Sequence, residues 1–262
     1  MESLLSAEIP KHWYGEDAFV SHFFDALSST FPFGESFFVR SVNNYRSEIK
    51  DPDLIRAVRD FAGQEGQHSR QHDDHMKLLL DQGYAMLERR NRILDRFMKW
   101  HTRKTPRFAL AVTASIEHLT ALLARQLLSD PARWTEPMHP DMARLWRWHA
   151  LEEAEHKAVT YDVLMQVAPS RLRRNAVMVM TTLELSFEVF VRTAYMLHKD
   201  GLLFDRAVWS KGLRFLFGQR GFLRGQGKEY AAFYGATFHP NDVDDSALIE
   251  KHAPLIALEI AS

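Results

Sequence analysis

Two apolar segments of this chain each carry a glutamate where a carboxylate is costly. Glu35 stands in Phe31-Pro32-Phe33-Gly34-Glu35-Ser36-Phe37-Phe38, and Glu117 follows Ala111-Val112-Thr113-Ala114-Ser115-Ile116. A buried carboxylate needs a partner, because desolvating it alone costs several kcal/mol or shifts its protonation. Each of these glutamates is followed by a Glu-x-x-His motif: Glu65/His68 lies 30 residues after Glu35, and Glu153/His156 lies 36 residues after Glu117. Residues three apart share one face of a helix, so each motif aims a carboxylate and an imidazole in one direction. One such motif is common in helical sequence as a solvated pair. Two, each with an apolar glutamate upstream, form an internal repeat. Its six side chains meet only if four helices face one another.

The rest of the sequence fits helices. Gly and Pro, 12 and 10 residues, fall between periodic segments, and no stretch alternates as a strand does. The spacing predicts an opening helix near 15–28 and a first bundle helix from about Phe33 to Glu48. A second, opened by Asp51-Pro52-Asp53, runs to Asp81 before Gly83, and further helices cover Met86–Lys104 and 106–128. A Pro-rich loop spans 130–140. Asp141 caps a long helix ending before Pro169, and helices near 171–199, 206–217 and 224–236 precede a polar tail. At ~1.5 Å per residue, segment 86–104 spans roughly 28 Å, enough to carry the chain back across a bundle. The expected fold is all-α: a ferritin-like four-helix bundle with one long crossover and additional C-terminal helices. It forms a single helical domain over 1–262, with the bundle at about 33–168 and accessory helices at about 170–236.

Composition removes several chemistries. There is no cysteine, so thiolate metal sites, iron–sulfur clusters and cysteine nucleophiles are excluded, and any metal falls to His, Asp and Glu. A net charge of −1 argues against nucleic acid. The N-terminus lacks a basic start followed by an apolar block, and the most apolar stretch, 176–197, is interrupted by Glu184, Glu188 and Arg192. A cytoplasmic protein is expected. The apolar helix near 174–198 is expected to pack on the bundle or to form a homodimer interface. The basic, amphipathic stretch Lys211–Arg224 is a candidate for peripheral membrane contact, although a solvated helix with an aromatic core face explains it as well.

The repeat reads as a site for two metal ions, with Glu35, Glu65, His68, Glu117, Glu153 and His156 as ligands, the set used by ferritin-like di-iron and di-manganese proteins. Four carboxylates balance two dications. Glu65 and Glu153 would bridge, with Glu35 and Glu117 terminal. Mixed O/N ligation points to iron first, with manganese or zinc as alternatives. His149, four residues before Glu153, lies within reach as a seventh ligand, roughly 6 Å along the axis. His72 lies roughly 10 Å from Glu65, which suits a pocket or proton-transfer role better than ligation. Asp162, His118, Arg40, Asn44, Tyr45 and Tyr161 lie near the ligands in sequence and are candidates to orient them, or are ordinary polar residues. His75, His101, His139, His198, His239 and His252 fit no useful spacing.

The Phe-Pro-x-Gly-Glu start at residues 31–35, the Glu65/His68/His72 helix and the His149/Glu153/His156 helix resemble the bacterial family named predicted metal-dependent hydrolase, over roughly residues 10 to 240. The ligand set also resembles that of di-iron arylamine N-oxygenases, in which a further histidine precedes the last motif by four residues, as His149 does here. These resemblances imply a dinuclear metalloenzyme acting on a small organic substrate. The chemistry expected from the residues is O2-dependent oxidation or oxygenation, with two-metal hydrolysis as the alternative and non-catalytic metal binding as a third reading. The phenylalanines around Glu35 would supply a dry pocket or ordinary core packing.

Overall fold

A computed structural model describes residues 3–5 and 9–261. Its helices are α1 (Ala18–Ser28), α2 (Phe31–Asn43), α3 (Pro52–Asp81), α4 (Met86–Lys104), α5 (Pro106–Ser129), α6 (Pro131–Trp134), α7 (Pro140–His156), α8 (Val159–Val167), α9 (Arg171–Lys199), α10 (Arg206–Phe217), α11 (Gly227–Ala232) and α12 (Ser246–Ala261). Among the described residues there is no strand; a lone bridge joins Tyr14 to Met138. The chain is all-α.

The ends of these helices follow local chemistry. Asp17, Asp51, Ser170 and Asp205 cap α1, α3, α9 and α10 by accepting from backbone N–H groups inside each first turn. Proline sits in the first turn of α2, α3, α5 and α7, where its missing N–H costs nothing. Several expected boundaries change. α2 begins at Phe31 and stops at Asn43, and a short helical turn interrupts the loop at 130–140. The cap of α7 is the His139 side chain, which accepts from the Asp141 N–H. The long helix expected to Pro169 breaks into α7 and α8 at Lys157 and Ala158. The buried Lys157 reaches away from the bundle axis there, donating to Val243 O at 2.6 Å and Asp245 Oδ2 at 2.5 Å. The stretch expected as a polar tail contains α12, which packs on α7 through buried Ile256 and an Arg147–Glu259 ion pair at 3.1 Å.

Helix α2 pairs with α3, and α5 pairs with α7 and α8; α3 also meets α7 and α8. Helix α4 packs on α2 and α5. Helix α9 packs on α1 and α5. Every residue of α1 is buried, which makes it a core element. Helix α5 is the one described helix long and apolar enough to cross a membrane; two thirds of its most apolar window is buried, and it carries Glu117, as befits a central helix of a bundle.

Two apolar clusters fill the interior. One gathers Phe37, Phe38, Val58, Phe61, Leu110 and Leu164 among others; the second gathers Phe24, Met76, Leu79, Leu127 and Trp146 with many more. Along α3, Glu65, His68 and His72 fall between Phe61 of the first cluster and Met76 of the second. Along α5, Glu117 falls between Ala114 and Ala124 in the same way. The polar ligands therefore form a layer across a bundle whose two ends are packed with hydrocarbon.

Candidate metal centre

That layer draws side chains from four helices: Glu35 from α2; Glu65, His68 and His72 from α3; Glu117 from α5; and His149, Glu153 and His156 from α7. All are buried, none exposed by more than 4%. Their donor atoms sort into four overlapping sets, each within 4.8 Å: Glu35 with Glu65 and His68; Glu35 with His72 and His149; His68 with His149 and Glu153; and Glu65 with Glu153 and His156. Glu117 joins the last set, its Oε2 standing 3.4 Å from His156 Nε2. Glu65 and Glu153 thus stand in both halves. One half adds Glu35, His68 and His149; the other adds Glu117 and His156. The structure brings together all seven residues picked out by spacing.

Hydrogen bonding tests whether these residues suit metal ions. Both carboxylate oxygens of Glu35, Glu65 and Glu117 are buried without a hydrogen-bond partner, and so are His156 Nε2 and both His68 nitrogens. Native proteins almost never leave so many polar atoms orphaned in one place. The charges point the same way. Burial, then the neighbouring Glu65 charge, pushes the Glu35 carboxyl well above the ordinary range; burial with Glu153 and Glu65 raises Glu117 to about 8. Burial would lower the His68 imidazole, but the carboxylates of Glu152 and Glu65 raise it to about 10. Opposed by burial in the same way, His156 is raised well above its usual value by Glu117, Glu153 and Glu65. Protons hold together a set of mutually repelling carboxylates. Metal cations would take the place of those protons, and carboxylates with imidazoles are donors suited to them.

A different cluster shows the contrast. His12, His22 and Asp200 also lie within ligand distance of one another. Asp200, however, already accepts from His12 at 2.9 Å, His22 at 3.0 Å, Tyr84 at 2.9 Å and Lys11 at 3.3 Å. That group is a satisfied ion cluster tying the N-terminal segment to α1.

The histidines are oriented by residues that spacing did not single out. His68 Nε2 lies 2.9 Å from Glu152 Oε2, leaving Nδ1 to face Glu65 and Glu153, each 3.7 Å away. His156 donates from Nδ1 to Gln64 Oε1 at 3.0 Å, turning Nε2 toward Glu65 at 3.2 Å. Gln64 and Glu152 each immediately precede a motif glutamate, and each serves the histidine of the opposite motif. Gln64 supplies the outer hydrogen bond that orients a ligand imidazole, and Glu152 stands as a charged partner beside the other. The sequence held a signal: both repeats carry a long polar side chain just before the motif glutamate. The residues considered for this role lie elsewhere. Asp162 bonds His239, Asn44 caps Thr102 O, Arg40 reaches Asp95, Tyr161 bonds Phe238 O, and His118 packs on Phe233 and Phe238. Tyr45 lies in the apolar cluster of α2 and α3.

His149 and His72 join in an unexpected way. His149 Nε2 points at Glu153 Oε1, 2.9 Å away, and its Nδ1 meets His72 Nε2 at 2.5 Å. His72 Nδ1 meets Ser28 Oγ at 2.8 Å, Ser28 meets His75 Nδ1 at 2.6 Å, and His75 Nε2 lies 3.1 Å from Asp25 Oδ1. Trp13 Nε1 and His22 complete the shell of Asp25 at 2.8 and 3.2 Å. The hydrogen bonds run from His149 through His72 and Ser28 to His75, whose Nε2 stands at ion-pair distance from the Asp25 carboxylate. Burial, then the repulsion of neighbouring imidazoles, keeps His72 and His149 neutral. Helix α1 supplies Ser28 and Asp25, so the opening helix is part of the site. Phe31 packs edge-on against His72 at 4.7 Å and beside His149 at 4.8 Å, closing the file from water. Thr120 donates to Glu153 Oε2 at 2.5 Å.

The family model described as predicted metal-dependent hydrolase matches residues 1–244. No curated protein and no solved structure matches the chain. The match takes in every residue of the centre and stops just before α12. The chain belongs to the predicted metal-dependent hydrolase family.

Proposed function

We propose that Glu35, Glu65, His68, Glu117, His149, Glu153 and His156 hold two metal ions, iron in the first place and manganese or zinc as alternatives. On this reading the protein is an enzyme that uses the pair for O2-dependent oxidation of an apolar substrate. The observation that carries the reading is the meeting of orphaned Glu35, Glu65 and Glu117 oxygens with imidazoles braced by Glu152 and Gln64. Glu65 and Glu153, each part of two of the possible ligand sets, would be the carboxylates that the two ions have in common. A ferritin-like bundle belongs to the same proposal, supported by the pairing of α2 with α3 and of α5 with α7, and by α4 packing on α2 and α5.

Bound, the metal pair would supply redox chemistry toward O2 or, in a hydrolase, Lewis acidity. The protein's part is positioning. Glu152 stands beside His68 and Gln64 holds His156, the file through His72 and Ser28 orients the His149 ring, and Thr120 holds one oxygen of Glu153. The space beside Gly34 and Thr120 has an apolar side of Phe31, Phe33, Phe38 and Ile116 and a polar side that includes Glu184 and Glu188. Hydrolysis is the second reading: the family description supports it, and no comparison supports oxidation.

Anaerobic loading with Fe(II) followed by air separates the two. Oxidation predicts O2 uptake in proportion to bound iron and the growth of ferric near-ultraviolet absorption. Protein that never consumes O2, yet cleaves model esters or phosphoesters with Zn(II) or Mn(II), would establish hydrolysis in its place.

A further inference from the structure

A cavity of about 470 Å³ opens between α1, α5, α9 and α10. Its size is that of a small-molecule site. The walls are almost wholly apolar, and the few polar side chains on them are turned to other partners. Thr182 bonds Met178 O and meets Tyr230 Oη, Thr193 bonds His22 O, and Gln226 bonds Phe222 O. A ligand here meets hydrocarbon along its length. The inner wall, formed by Leu27, Leu123 and Leu185, is shared with a second, much narrower cavity of about 70 Å³. The far side of that neck is lined by Gly34, Ile116 and Thr120. Gly34 and Ile116 adjoin Glu35 and Glu117 in the chain, and Thr120 holds Glu153. The two spaces meet at this leucine wall, and the inner one, lined on another side by Glu184 and Glu188, lies beside residues that neighbour the metal layer.

The outer end has its own chemistry. Phe190, Leu213 and Phe217 stand at the mouth, each about half exposed. Segment 205–229, which builds this rim, carries six cations against two acids, and Arg214, Arg224 and Lys228 are exposed. We infer that the cavity takes a single unbranched hydrocarbon chain, methyl end inward, with an anionic head at the basic rim. The substrate class is a long-chain fatty carboxylate whose chain is led to the metal centre. The catalytic half of this inference rests on the two-metal reading; the binding half does not.

The test is calorimetric titration of the full-length protein with saturated carboxylates from eight to eighteen carbons, below their micelle concentrations, with metal content measured on the same preparations. Affinity should climb by about fourfold per added methylene and level off once the chain fills both spaces. Leu123→Trp, which fills the neck, should shorten the length at which the plateau begins. Ser186→Trp, at an exposed wall position that leaves the core untouched, should weaken every chain at least tenfold. Paired Arg214→Glu and Arg224→Glu should weaken carboxylates and spare the matching alcohols. Affinity independent of length, or unchanged in Ser186→Trp, in protein that still takes up two metals would overturn this inference alone. Length-dependent binding in protein that takes up no metal would uphold the cavity's ligand and overturn the two-metal reading.

Discussion

Glu65 and Glu153 differ from the braces beside them in what their loss should do. Replacing either shared carboxylate with alanine removes a ligand from both halves of the centre, so Glu65→Ala and Glu153→Ala should each abolish binding of two metals by elemental analysis. Glu152→Ala removes only the outer partner of His68, and affinity should fall roughly 10- to 100-fold with stoichiometry retained, read by competition with a chelator. Ser28→Ala breaks the file between two buried imidazoles and should lower stability by about 1–3 kcal/mol in denaturant titration. These side chains were unequally legible in the sequence. The ligands announce themselves through fixed spacing on helices and through carboxylates in apolar runs. Ser28, His75 and Asp25 carry no such mark, because their partners lie on other helices. The distance along α3 suited His72 to a pocket or proton-transfer role better than to ligation. That estimate considered only rise along α3, whereas the imidazole meets His149 across the gap between α3 and α7.

At the scale of elements, the helices with strong stop signals were legible. Pro52 and Gly83 bracket α3, and Met86–Lys104 and 206–217 fall where periodicity placed them. The α7–α8 break was hidden, because Lys157 and Ala158 are ordinary helix formers and the cause lies in partners 86 and 88 residues further on. Helix α12 was hidden too: its apolar residues are spread around the axis and Pro254 interrupts it. Close packing decides how α10 docks. A Cβ on Gly212 would stand 2.1 Å from the Phe19 ring, on a helix that walls the large cavity. Gly212→Ala should cost about 1–3 kcal/mol by overpacking and should shift or close that cavity. A thermal melt indistinguishable from the parent would show that α10 does not hold this approach.

The whole molecule is a hydrocarbon-filled bundle with a layer of charge across it. Charge conservation there gives a prediction about pH. Without metal, Glu35 and Glu117 keep protons above the ordinary carboxylate range, Glu117 to about 8, while His68 stays protonated to about 10 and His156 well above its usual value. Metal must displace these protons. Loading at pH 6–7 should release about four protons per pair of ions, and the pair's affinity should rise steeply as pH increases toward 8. The sign follows because raised values mean that protons compete more strongly as pH falls. Titration in two buffers of different ionisation enthalpy measures the count.

The central claim is that two ions share Glu65 and Glu153. Anomalous diffraction at the iron edge from crystals grown with Fe(II) under anaerobic conditions tests it directly. The account predicts two peaks in the layer between α2, α3, α5 and α7, with Glu65 and Glu153 between them, Glu35, His68 and His149 at one and Glu117 and His156 at the other. A single peak, or iron held only at His12, His22 and Asp200, would contradict it.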